Sequence, residues 1–140
     1  MVPVIQKHNG CLDKFLGDGI MATFGGGLAN DTYAADALRA IDAMVGETEA
    51  WNGDLRSAGK AEASINWAVA AGPVVFGDAA NLAAKLEKHN KAEASLALTT
   101  AETFSLALAQ GYQPPARRGE LAGRRVQGVE EPENLVVLAT

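Results

Sequence analysis

The chain has 140 residues, a formal net charge of −5 and 48% apolar residues, enough for one core and one domain spanning residues 1–140. It contains no run of eighteen apolar residues and opens on no basic segment followed by an apolar one, so neither a membrane span nor a secretory leader is expected. The acidic balance argues against nucleic-acid binding, and Cys11, the only cysteine, rules out an intrachain disulfide and fits a cytoplasmic location.

Apolar Val2 and Ile5, followed by Asn9-Gly10, predict the end of a helix over residues 1–8. Two short strands follow, with Phe15, Ile20 and Ala22 alternating and Gly17-Asp18-Gly19 between them, the pattern of a β-hairpin. After a Gly25-Gly26-Gly27 loop, Asp31 or Thr32 caps a helix whose apolar face is Ala34, Ala37, Leu38, Ile41, Met44 and Val45. That helix is expected to end near Trp51, with the indole anchored in the core. Residues 64–76 predict a central strand, and residues 79–89 a helix capped by Asp78. A strand over 96–99 leads to a helix starting at Thr100 and stopped by Gln110-Gly111. Pro114-Pro115 forces extended chain, and strands over 120–126 and 135–138 close the sequence. The sum is an α+β fold, with helices on one face of a mixed sheet.

Chemistry concentrates at two places. Asp18 is a single carboxylate on a tight, exposed hairpin tip, which suits a metal that must meet a polyphosphate. Arg117, Arg118, Arg124 and Arg125 form a basic cluster, read as a solvated face. His8 and His89 sit in no metal-ligand spacing and receive no role.

The run from Lys14 to Gly25 fits K-F-x-G-D-G-x-x-A-x-F-G. The run Gly77-Asp78-Ala79-Ala80-Asn81-Leu82-Ala83-Ala84-Lys85-Leu86-Glu87 is similar to G-D-x-V-N-x-A-A-[RK]-L-E. In this order the two resemble the signatures of class III nucleotide cyclases, the adenylate and guanylate cyclase catalytic domain. The resemblance implies a ferredoxin-like cyclase fold with a mixed, mainly antiparallel sheet. It also implies conversion of ATP to cyclic AMP and pyrophosphate, with two Mg²⁺ or Mn²⁺ ions per site, in a homodimer. Asp18 then takes the position of a metal-bridging aspartate. Lys14 takes that of the base-selecting residue, where an ammonium donates to adenine N1 and a carboxylate would accept from guanine, so ATP is favoured over GTP. Asn81 matches the asparagine that orients the ribose. Lys85 matches the phosphate-binding cation, where most relatives carry arginine and its bidentate fork.

Two family segments have no counterpart. The D-[IM]-x-G-[FY] strand, which supplies the other metal aspartate, does not occur, and residues 73–76 run straight into Gly77-Asp78 where relatives have a further strand. The 140 residues are therefore expected to be an incomplete cyclase domain, inactive by themselves. The alternative is a non-catalytic nucleotide-binding or regulatory domain that retains the fold. A diguanylate cyclase is disfavoured, because no G-G-[DE]-E-F tip is present.

Overall fold

The computed structural model describes residues 1–26, 30–72 and 77–140. Helix α1 (Val2–Lys7) leads into the hairpin β1 (Gly10–Leu16) and β2 (Gly19–Phe24), then into the long helix α2 (Tyr33–Ser57). Strand β3 (Trp67–Val69), helix α3 (Asp78–His89), strand β4 (Ala97–Thr100) and helix α4 (Ala101–Ala109) follow, and β5 (Gly119–Arg124) and β6 (Glu133–Ala139) end the chain.

The hairpin is antiparallel from Gly10 opposite Phe24 to Leu16 opposite Gly19, with an irregularity between Leu12 and Lys14. It forms its own two-stranded sheet, while the other strands make a four-stranded sheet in the order β3-β4-β6-β5. Gly10 is fixed by close packing. A Cβ there would lie 2.6 Å from Ile5 Cγ2 and 2.8 Å from the Phe24 ring, so α1 and the hairpin can approach only at a residue without a side chain.

In the four-stranded sheet, β3 runs parallel to β4, and β6 pairs antiparallel with β4 and β5. The α+β class and the mixed, mainly antiparallel sheet are as expected. Helices, however, cover both faces. Leu38 and Ile41 of α2 join Trp67, Ala97, Val136 and Leu138 on one face, with α1 and α4 contributing. Leu86 of α3 meets Leu98, Val126 and Leu135 on the other. The two-residue period of β6 sends Leu135 one way and Val136 the other, which the sequence pattern of two consecutive buried residues conceals.

Three other expectations need correction. Among the described residues of the central strand expected over 64–76, only Trp67–Val69 are strand. Ahead of it, Asn52 pins Ala63 by accepting from its N–H at 2.8 Å and donating to its carbonyl at 2.9 Å, holding the approach against α2 instead. Residues 73–76 lie outside the described residues, as does Gly27 of the glycine loop. Helix α2 does not end near Trp51 but continues through Gly53 to Ser57. Its last buried residue is Thr48, so the helix has passed the sheet by then, and Trp51 is 51% exposed rather than anchored in the core. Finally, Asp78 does not cap α3. Gly77 occupies the cap position at φ 73 without a side-chain bond, and Asp78 sits in the first turn, where its charge complements the helix N-terminus. Thr100 does cap α4, accepting from the Thr103 N–H at 3.1 Å.

Candidate functional site

Asp18 stands in the two-residue turn beside Gly17, whose φ is 64, and its side chain is exposed. Lys14 is likewise exposed on β1, opposite Met21. Phe15, Leu16 and Ile20 flank the tip and are 64%, 54% and 38% exposed, an apolar collar around a single carboxylate. The hairpin is seated on α1 and α2.

Asn81 and Lys85 occupy α3, which is seated on β3 and β4 through Ala79 and Leu86. Four residues apart, they lie on one side of the helix. Asn81 is exposed, and the Lys85 ammonium donates to the carbonyl of Gly128 in the β5–β6 connection. The structure thus groups Lys14 with Asp18 and Asn81 with Lys85. Among the described residues no hydrogen bond or ion pair joins one pair to the other.

Among the described residues no group of three or more His, Cys, Asp and Glu side chains is gathered. Asp13, on β1, accepts from Thr23 Oγ1 at 3.3 Å. One tip carboxylate fits a single hard cation shared with phosphate oxygens, and does not fit a two-ion centre within one copy. A groove of about 300 Å³ between α2 and residues 62–65, lined by Val45, Asn52, Ile65 and Trp67, contains none of the four candidate residues.

Sequence reasoning missed two polar networks. Asp36 is buried among the alanines of α2 and accepts from Asn9, Asn30, Thr32 and Arg39. An acidic residue inside an otherwise apolar helix stripe was the signal for it. The second network corrects the basic cluster: Arg118 is not solvated but donates to Asp42, to the Tyr112 hydroxyl and to the Leu138 carbonyl, leaving its buried Nε without a partner. Tyr112 donates to Asp42 at 2.6 Å. Burial first, then that bond, pushes the Tyr112 phenol up to about 12, against the opposing effect of Arg118.

No family model matches the sequence, and no curated protein matches it. Solved structures do. The adenylyl cyclase CyaB from P. aeruginosa superposes with a TM-score of 0.73 at 21% identity, over 99% of this chain and 76% of that one. The guanylyl cyclase Cya2 gives 0.70 at 18% identity, over 97% and 73%. A bacterial light-regulated adenylyl cyclase gives 0.66 at 19% identity, over 97% of this chain and 40% of that one. At these identities the likeness is one of fold, and it extends over nearly all of the chain. The chain has the class III nucleotide cyclase fold. Adenylyl and guanylyl cyclases both share it, so the fold alone does not select a base. Among the described residues no helix is long and apolar enough to cross a membrane.

Proposed function

We propose that this domain is a nucleotide cyclase converting ATP to cyclic AMP and pyrophosphate at a site shared between two copies. The observation that carries the reading is the division of the four motif residues within a domain of this fold. Asp18 and Lys14 stand on the hairpin, Asn81 and Lys85 on α3, and among the described residues no hydrogen bond or ion pair links the two pairs within one copy. A two-fold pair presents the hairpin of one copy to α3 of the other and makes two equivalent sites.

In the reaction the ribose 3′-hydroxyl attacks the α-phosphorus and pyrophosphate departs. The Asn81 amide orients the ribose for that attack, and Lys85 sets positive charge against the phosphates as negative charge moves to the leaving group. Lys14 donates to adenine N1, favouring ATP over GTP. Mg²⁺ or Mn²⁺, when bound, would neutralise phosphate charge, and Asp18 would hold it. No matched residue of this chain provides for a second ion. A cytoplasmic location supplies the ATP.

The test assays the protein at its native length. Asp18→Ala and Asn81→Ala should each abolish cyclic AMP formation, and their random mixture should recover about a quarter of the wild-type sites. Heterodimers that form and stay inactive overturn the shared site. The second reading, a non-catalytic nucleotide-binding domain, is favoured by the lone motif carboxylate. Mn²⁺-dependent nucleotide binding without turnover at native length would establish it.

A further inference from the structure

We infer that Gly128 is a positioning residue for Lys85, and that its carbonyl supplies the orientation an arginine would carry in its own planar fork. The inference rests on the phosphate-binding reading of Lys85 given above. An ammonium on a four-carbon stem is a mobile point charge, and a guanidinium is a fixed planar donor set. Lys85 donates one of its hydrogens to the Gly128 carbonyl. An ammonium has three donors, so two remain for phosphate oxygens. Among the described residues no carboxylate lies within ion-pair distance of Lys85, so the anchor fixes the charge without neutralising it.

The anchor is held in place by its surroundings. The Val129 N–H donates to the Val126 carbonyl at 3.0 Å, closing the turn that contains Gly128. Val126 is 3% exposed and shares a core cluster with Leu86, the residue after Lys85. Gly128 has φ 82, and a Cβ there would lie 3.2 Å from Lys85 Cε. Both facts favour glycine: the backbone is left-handed, and a side chain would begin 3.2 Å from the lysine stem, which would have to shift to admit it. The turn therefore works as a saddle across which Lys85 is laid.

The experiment reads protection of Lys85 from an amine-acylating reagent by inorganic pyrophosphate, quantified by mass spectrometry, with Lys88 on the same helix as internal control. Gly128→Asn tolerates the left-handed backbone but places a side chain against the lysine. The half-protecting pyrophosphate concentration should rise about tenfold, the loss of one charge-assisted hydrogen bond, with Lys88 labelling unchanged. Equal protection in both proteins overturns the role of Gly128 and leaves the phosphate role of Lys85 standing. No protection in the wild type removes both. Lys85→Arg, which leaves the turn intact, supplies a second test by calorimetric titration with pyrophosphate. Because the lysine is already oriented, affinity should change less than about threefold, and a gain of about tenfold or more would overturn the inference.

Discussion

Asn9, between α1 and β1, donates to the Asp36 carboxylate on α2 at 3.1 Å. Asn30 at 3.0 Å, Thr32 at 2.9 Å and Arg39 at 2.9 Å converge on the same carboxylate. One buried charge thereby ties the helix–hairpin junction, the loop before α2 and α2 itself. Burial raises the pKa of Asp36, and the four hydrogen bonds outweigh it, leaving the group below its ordinary value. A depressed carboxylate stabilises the fold above its unfolded pKa, and that stabilisation is lost as pH falls through the folded value. Resistance to denaturant should therefore weaken below about pH 4. Asp36→Asn should flatten that decline and lower stability at neutral pH by about 1–3 kcal/mol. An unchanged acid slope in the variant would place the titrating group elsewhere.

Tyr112 behaves in the opposite sense. A phenol raised in the folded state stabilises fully below its unfolded pKa, near 10, and that contribution fades as pH climbs towards about 12. In a Tyr33→Phe background the only tyrosine left is Tyr112. Its phenolate absorbance should then appear only near pH 12 or together with unfolding. Ionisation of the folded protein near pH 10 would contradict the Asp42–Tyr112–Arg118 arrangement.

Lys14 carries the base preference in the proposed site. Lys14→Glu replaces a donor by an acceptor at an exposed strand position, so the fold should be unaffected. The ratio of ATP to GTP binding should fall at least about tenfold, since polar mismatches of this kind discriminate strongly. Competition between the two triphosphates for a fluorescent analogue measures it, and an unchanged ratio would remove Lys14 from base selection.

Gly10→Ala tests the docking of the hairpin. The added methyl meets Ile5 and Phe24 well inside contact distance, and overpacking of this kind costs about 1–3 kcal/mol. Hydrogen exchange should quicken in β1 and β2 more than in β4 and β6. Uniform acceleration would mean that the hairpin and the sheet open together.

Much of this was legible in the residues. The hairpin, the helix stops at Asn9-Gly10 and Gln110-Gly111, the Thr100 cap and the order of elements follow from turn chemistry and period, which are local. What escaped depends on distant partners. Trp51 continues the spacing of Ile41 and Met44, and only the tertiary structure decides that it stays half exposed. Arg118 reads as one of four solvated arginines until Asp42, 76 residues away in sequence, is brought beside it. Ahead of strand β3, Asn52 of α2 captures Ala63, a pairing that no pattern within residues 60–70 announces. As for the proposed site, the motifs nominate Lys14, Asp18, Asn81 and Lys85, whereas the bond from Lys85 to Gly128 arises from the β5–β6 turn folding back over α3.

Helix α2 touches both the hairpin and the four-stranded sheet, on which α3 rests, and its 25 residues make a rod roughly 37 Å long. In the proposed pair each copy gives its hairpin to one site and its α3 to the other, so a single rigid rod belongs mechanically to both. Strain introduced where one triphosphate seats against a hairpin would be carried along α2 to the sheet beneath the opposite site. The two sites of the pair would then not fill independently, and the stiffness of α2 would set how strongly the first nucleotide alters the affinity for the second.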